Sequence, residues 1–222
     1  MPGKYLALDL GIAKEIPDGG DWRASSPLGI SCASVWASDS NQPVIWHGRI
    51  PGGGPSNQMS REESQSMVRS LEAMVNQSGY TLLTWNGLNF DFPVLAEESG
   101  LSAECKKLAI DHVDMMFHVF CIRGHFLGLE AAALGMGLPG KTPGMTGKDA
   151  PNYWAEGRHQ EVLDYLAQDV RTTLDVARSC DDRGSLTWNS RAGNLQEVNL
   201  PLGWLPVKEA LNEPEPDTSW MT

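Results

Sequence analysis

The 222-residue chain has no long hydrophobic run and no leader-like N-terminus. No apolar stretch approaches the roughly 18 residues that a membrane-spanning helix requires. The first residues also lack a basic stretch followed by an apolar segment, the pattern of a secretory signal. With a hydrophobic content of 41%, the sequence predicts a soluble, cytoplasmic protein with one good-sized core and a short appendage, and it excludes a membrane protein.

Cysteine is scarce and is not spaced for metal or disulfide chemistry. The four cysteines lie far apart and form no Cys-x-x-Cys pair, so neither a zinc site nor a disulfide framework is predicted. The five histidines show no metal-ligand spacing either.

The chain has few positively charged residues: it contains 17 Lys and Arg residues but 28 Asp and Glu residues, and the net charge is −11. Contacts from Lys and Arg to phosphates supply most nonspecific affinity for nucleic acid. The composition therefore argues against a protein that coats nucleic acid. It is compatible with an enzyme that binds a few nucleotides through metal ions. A solvated acidic surface explains most of the excess of acidic over basic residues.

The first half of the chain predicts the element order β-β-β-α-β-α. Apolar, β-prone runs at 4–10, 28–37 and 43–49 predict three strands of an antiparallel meander. Ser60 and Glu63 form a capping-box pattern that opens a helix. A strand at 80–85 and a helix at about 92–99 follow.

The second half is predicted to be mainly helical. Residues 102–136 have helical patterns interrupted at 111–114, and a Gly/Pro/Lys loop covers 137–152. A long amphipathic helix follows, then one strand and a short helix; their predicted ranges are 159–180, 185–191 and 207–211. We predict a domain over 1–182 and a C-terminal extension of unknown role over 183–222.

Three short segments place acidic residues at chemically suggestive positions. Asp9 lies on the first strand, Asp91 ends the Asn86–Asp91 turn between a strand and a helix, and Asp169 follows Tyr165 by one helical turn. Carboxylates on a strand, a strand-to-helix turn and a helix face can converge in few folds. Carboxylate oxygens are the ligands that hard cations such as Mg²⁺ prefer.

The order of elements and motifs resembles a known family. A meander, a helix, a strand and a late carboxylate-bearing helix resemble the ribonuclease H-like α/β fold. Within it, Asp9, Asn86-x-x-x-Phe90-Asp91 and Tyr165-x-x-x-Asp169 resemble the three motifs of the DEDD 3′–5′ exonucleases, in the DEDDy branch and closest to the DNA-polymerase-B type. The resemblance covers about residues 4–180. It implies a mixed central sheet, an antiparallel meander plus parallel strands, flanked by helices.

The resemblance also implies roles for individual residues. Asp9, Asp91 and Asp169 would bind two Mg²⁺ or Mn²⁺ ions, which activate water and stabilise the leaving 3′ oxygen. Tyr165 would orient the attacking water. Asn86 would hold the turn or the terminal nucleotide of a single-stranded DNA or RNA 3′ end.

Further residues are candidates for contacts with the substrate. Trp85, directly before the second motif, is the best tryptophan for stacking on a base. Lys141, with Lys148 and Arg158, is predicted to meet substrate phosphates. Asp114 is left out of the catalytic set, because an Asp at such a position more often caps a helix or holds a loop.

One departure from the family pattern affects the first motif, which is Asp-x-Glu in the family. This chain has Gly11 where the Glu belongs, and Glu15 lies too far along to replace it without a bulge or a folded-back loop. Weakened or absent catalysis is therefore expected. The alternative hypothesis is a catalytically inactive module that binds nucleic-acid ends or a protein partner.

Three weaker patterns remain. The stretch 135–142 formally matches a nucleotide-binding P-loop, but the sequence before it is helical where that motif needs a strand. Asp9-Leu10-Gly11 also resembles the first turn of actin-like kinases and the start of Holliday-junction resolvases, whose other elements the sequence lacks. Trp220 near the C-terminus predicts a surface for a protein partner or a second copy of the chain.

Overall fold

The first strand, β1 (Tyr5–Ile12), is almost fully buried and organises the central sheet. In the computed structural model, which describes residues 3–140 and 144–213, β1 lies between β2 (Ile30–Ala37) and β4 (Thr81–Thr84). It is antiparallel to β2 and parallel to β4. Strand β3 (Val44–His47) pairs antiparallel with β2, and β5 (Val113–Asp114) pairs parallel with β4. The order β3-β2-β1-β4-β5 confirms the predicted mixed sheet.

Eight α-helices accompany the sheet in the part of the chain that the structure describes. They are α1 (Arg61–Asn76), α2 (Asp91–Ser99), α3 (Ser102–Asp111), α4 (Met115–Arg123), α5 (Leu129–Gly135), α6 (Ala150–Ala155), α7 (His159–Arg183) and α8 (Val207–Ala210). The predicted capping box is confirmed, since Ser60 Oγ accepts from the Glu63 N–H and the Glu63 carboxylate accepts from the Ser60 N–H. Among these described helices, none has the length and apolarity needed to cross a bilayer.

Two local predictions were incomplete. The loop expected at 137–152 ends earlier, because α6 begins at Ala150; its Pro151 is tolerated because the first turn of a helix needs no N–H donor there. The single strand expected at 185–191 is the first arm of a hairpin, β6 (Ser185–Asn189) and β7 (Leu195–Asn199). Only Val198 of β7 is buried, so its sequence has little hydrophobic alternation. The predicted interface residue Trp220 lies outside the described residues.

The alternation of side chains along β1 separates two layers. Leu6, Leu8 and Leu10 point into a core shared with α1, α2 and α3. On the other face, Ala7 belongs to a second core that contains residues of α5 and α7 and the buried Trp188 of β6. Because alternate residues share a face, Asp9 points to the same side as Ala7, toward α7.

The turn after β4 is held by a buried carboxylate. Strand β5 pairs Asp114 with Thr84, which brings the Asp114 side chain beneath the turn. Its oxygens accept from the backbone N–H groups of Asn86 and Leu88 at 3.0 and 2.9 Å. Asp114 also accepts from the Phe117 N–H at 3.1 Å, which confirms that it caps a helix, α4. The contact stabilises Asn86 in a left-handed conformation, with φ of 78°.

A buried histidine supports the same turn from the other side. His112 Nδ1 lies 2.7 Å from the Ala109 carbonyl oxygen, and Nε2 lies 2.9 Å from Thr84 Oγ1. Since a carbonyl only accepts, Nδ1 carries the proton and Nε2 accepts from the Thr84 hydroxyl. That hydroxyl in turn accepts from the Gly87 N–H at 3.1 Å. Burial lowers the pKa of His112 to about 4, so the ring is neutral.

Replacing Asp114 tests how strongly this turn is held. Asp114→Ala leaves three backbone N–H groups without their acceptor, and we expect it to lower the free energy of unfolding by about 3 kcal/mol. Urea denaturation measures this loss. The matched control is Asp111→Ala, which removes a carboxylate that pairs with Lys107 and Lys208 at the surface and should cost less than about 1 kcal/mol. Equal losses in the two variants would contradict the role of Asp114.

The neutral His112 predicts a dependence of stability on pH. Its pKa is about 4 when folded and about 6.5 when unfolded, so between these values the unfolded chain binds more protons. The contribution of His112 to the free energy of unfolding therefore falls as the pH drops from about 6.5 to 4, whereas buried Asp91, whose pKa is raised to about 7, contributes a change of the opposite sign. His112→Asn removes only the His112 titration, so toward pH 4 the variant should lose less stability, or gain more, than the unchanged chain, measured by urea denaturation at several pH values. His125→Asn, at an exposed ring, should keep the slope of the unchanged chain; parallel curves for all three proteins would refute the prediction.

Candidate active site

A cavity of about 570 Å³ lies at the carboxyl ends of β1 and β4. Three parts of the chain form it: the end of β1 with the loop after it, the turn after β4, and α7 with the segment before it. The lining residues are Asp9, Leu10, Gly11, Ile12, Ile16, Asn86, Phe90, Thr146, Gly147, Lys148, Ala150, Pro151, Val162, Tyr165, Leu166 and Asp169. Three of the four predicted catalytic residues, Asp9, Tyr165 and Asp169, thus border one cavity.

The helix α7 brings Tyr165 and Asp169 to the face of β1 that carries Asp9. The two α7 residues are one helical turn apart and both are buried. The Tyr165 hydroxyl donates a hydrogen bond to the Asp169 carboxylate. Burial, together with the negative charges of Asp169 and Asp9, raises the pKa of Tyr165 well above its usual value. The phenol is therefore protonated at neutral pH, and because its one proton is directed to Asp169, its oxygen is left as a hydrogen-bond acceptor toward the cavity.

Asp91 lies next to this cavity but below its surface. The pairing of β1 with β4 ends at Ala7 and Leu83, so the edge of β1 beyond Ala7 has backbone groups that β4 does not reach. Asp91, the first residue of α2, fills this gap, and its Oδ1 accepts from the Leu10 N–H at 3.0 Å. Burial raises the pKa of Asp91 to about 7, and the nearby charge of Asp114 adds to the shift.

The predicted substrate contacts are only partly brought together. Asn86 borders the cavity. Trp85 does not, because its indole packs on the second core and Nε1 donates to the Leu127 carbonyl oxygen at 2.9 Å. Lys148 borders the cavity, whereas Arg158 pairs with Glu161. Lys141 lies outside the described residues.

Gly11 occupies the position where the family motif has Glu, and its surroundings are tight. It lies opposite Cys32 on β2, next to a shift in the strand register. A Cβ atom at position 11 would lie 2.8 Å from Cys32 Sγ and 3.2 Å from Ser31 Oγ. A larger side chain therefore requires the Cys32 side chain to move. Glu15 is exposed and does not border the cavity, so it does not supply the missing carboxylate.

The carboxylates fit one cation better than two. Asp9 and Asp169 border the cavity together, and carboxylate oxygens suit Mg²⁺ or Mn²⁺. Within residues 3–140 and 144–213, no group of three or more His, Cys, Asp and Glu side chains is placed to hold a metal ion. The inward direction of Asp91 and the absence of a side chain at Gly11 account for this.

The P-loop alternative finds no support in the structure. The helix α5 (Leu129–Gly135) enters the Gly-rich stretch, which confirms the helical interpretation of that sequence. A P-loop requires a strand at this point so that its backbone N–H groups can surround the phosphates. The stretch begins where α5 packs closely on β6, since a Cβ atom at Gly135 would clash with the Thr187 carbonyl oxygen.

Several residues of the site were not predicted. Phe90 borders the cavity and packs edge-to-face on Trp22, with ring centroids 5.4 Å apart. Its place in the second motif was a usable signal. Ile16 and Thr146 approach from two loops, and nothing in the sequence indicates that these loops meet.

Comparisons with known proteins agree with this architecture. Residues 54–180 match the model of a family described as RNase_H superfamily. Among solved structures, the chain is similar to the family B DNA polymerase from the hyperthermophilic archaeon Pyrobaculum calidifontis, with a TM-score of 0.57 and 17% identity. The match covers 95% of this chain and 27% of the polymerase chain, and at this identity it shows the fold alone.

A search of curated protein sequences found no significant match. The matched family segment is more than half of the chain and contains β4, Asp91, Asp114 and the whole Tyr165–Asp169 motif. The ribonuclease H-like fold predicted from the order of the elements is confirmed. The chain belongs to the RNase_H superfamily.

Proposed function

We propose that the chain is a 3′–5′ exonuclease of the DEDDy type that acts on single-stranded DNA or RNA 3′ ends and is weakened by Gly11. One observation carries the proposal: Asp9, Tyr165 and Asp169 border a single cavity, and Asp91 is hydrogen-bonded to the strand that carries Asp9. These are the four catalytic residues expected from the motifs. The superfamily membership supports a nuclease-like module.

Each residue has a role that its surroundings allow. Asp9 and Asp169 would hold a divalent cation, with Asp91 as a further ligand if its carboxylate turns from Leu10. A bound Mg²⁺ or Mn²⁺ supplies an acidified water and stabilises charge on the leaving oxygen. Tyr165, protonated and already hydrogen-bonded to Asp169, would orient the attacking water.

The walls of the cavity suit the unpaired end of a strand. Ile16 and Phe90 line the cavity and are only partly buried, so they offer apolar surface on which a base or sugar can pack. Asn86 can donate to and accept from the terminal nucleotide. These contacts accept either sugar, so the proposal covers DNA and RNA ends alike.

A second candidate function is an end-binding module without hydrolysis. The observation that favours it is the absence of a third clustered acidic ligand among the described residues, together with Gly11. Such a module would keep the cavity and its affinity for 3′ ends. It would differ from the exonuclease only in the chemical step.

The two functions are separated by a time course on 5′-labelled single-stranded DNA and RNA oligonucleotides with Mn²⁺. The chain as given should shorten the oligonucleotide slowly from its 3′ end. Gly11→Glu should be faster by about 10-fold or more, because it returns a carboxylate to the site. Tyr165→Phe should be slower than the unchanged chain by about 100-fold, the lower end for positioned acid–base groups.

The controls identify the source of any product ladder. Asp91→Ala should abolish it, which excludes a contaminating nuclease. In the double variant Gly11→Glu/Cys32→Ala, the Sγ atom that would lie 2.8 Å from the new Cβ atom is removed. This variant should degrade the oligonucleotide at least as fast as Gly11→Glu. If neither Glu-containing variant degrades an oligonucleotide that it binds, the chain is an end-binding module and the exonuclease proposal fails.

A further inference from the structure

Lys148 has a distinctive place at the mouth of the cavity. Among the described lining residues it is the only one that carries a positive charge, and it faces a site whose other charged groups are Asp9 and Asp169. Its ammonium pairs with Asp18, with Nζ and Oδ1 2.9 Å apart. Both side chains are largely exposed, at 70% and 95%. The pair joins two segments that are 130 residues apart in the sequence.

The two loops that carry this pair flank the cavity. The first follows β1, and its Ile16 borders the cavity two residues before Asp18. This loop is anchored on the turn after β4, since Arg23 Nη2 donates to Asn89 Oδ1 at 2.7 Å and Trp22 packs on Phe90. Asp18 is therefore carried by a loop that is held against one side of the cavity.

The second loop fixes Lys148 close to the catalytic tyrosine. The Asp149 carboxylate accepts from both the N–H and the hydroxyl of Thr146, at 2.8 and 2.7 Å, and closes a short turn around Lys148. A Cβ atom at Gly147 would lie 3.9 Å from the Tyr165 hydroxyl. The backbone beside Lys148 thus lies close to the tyrosine hydroxyl, and a lysine side chain is long enough to reach a nucleotide bound there.

We propose that Lys148 binds a backbone phosphate of the single strand that enters the cavity, and that Asp18 occupies Lys148 until the phosphate displaces it. The inference rests on the proposed function, because it assigns a phosphate contact at the same site. An exposed ion pair contributes little stability, so a phosphate can replace the Asp18 carboxylate at small cost. Competition from Asp18 lowers the affinity of the chain for the strand. Until the phosphate binds, the ion pair keeps Lys148 at the mouth of the cavity.

Fluorescence anisotropy with a labelled single-stranded oligonucleotide tests this assignment without hydrolysis. Binding of 12-residue DNA and RNA is measured with EDTA at low salt, over a salt series, for the full chain. Lys148→Ala should weaken binding by about 5-fold and reduce the slope of log K against log salt by about 0.7, the loss of one phosphate contact on a single strand. Asp18→Asn should strengthen binding by about 3-fold.

The double variant Asp18→Asn/Lys148→Ala distinguishes the exchange from general electrostatics. If Asp18 acts through Lys148, the double variant binds like Lys148→Ala alone. If Asp18→Asn gives the same gain with and without Lys148, the assignment is overturned. The matched control is Lys208→Ala, from a surface pair with Asp111 of the same 2.9 Å separation, which should leave affinity within about 1.5-fold.

The remaining outcomes separate this inference from the proposed function. Equal effects of Lys148→Ala and Lys208→Ala, or no measurable binding by the unchanged chain, overturn the phosphate assignment even if the oligonucleotide is degraded in Mn²⁺. Binding that depends on Lys148 in EDTA, with no degradation in Mn²⁺, supports the assignment while the exonuclease proposal fails.

Discussion

The buried carboxylate of Asp114 holds the backbone of the turn after β4, and the geometry of the cavity depends on that contact. Parallel pairing of β4 with β5 places Asp114 beside Thr84, so one side chain can accept from Asn86 and Leu88 at once. The turn then directs Asp91 into the gap at the edge of β1. A two-residue strand thus has a structural effect far larger than its length, because it fixes where the Asp91 carboxylate lies.

Sequence reasoning predicted the fold and the main residues of the site because their signals are local or periodic. Alternation along β1 and the capping box at Ser60 each follow from a short stretch of sequence. The direction of Asp91 was not predictable, since it depends on how far β1 and β4 pair, and the paired residues of these strands are 76 positions apart in the sequence. The approach of Asp18 to Lys148 likewise depends on loop paths that leave no pattern in either segment.

Gly11 changes the chemistry of the cavity without changing its architecture. The strand is buried on both sides of the glycine, and Cys32 lies against the space that a side chain would use. Because Gly11 replaces the Glu of the family motif, the negative charge that faces the cavity comes from Asp9 and Asp169. Fewer ligands mean weaker cation binding and a smaller contribution to the chemical step. The residues that would bind a nucleotide, by contrast, are unaffected.

The most direct test of this account counts the cations. Free Mn²⁺ is followed by electron paramagnetic resonance as it is added to the chain as given, to Gly11→Glu, to Asp9→Asn and to Asp169→Asn. The account predicts about one bound ion for the chain as given, a second for Gly11→Glu, and loss of the first in either Asn variant. Binding that neither Asn substitution affects, or an equal number of ions with Gly and with Glu at position 11, would contradict the central claim that Asp9 and Asp169 form a cation site that Gly11 leaves incomplete.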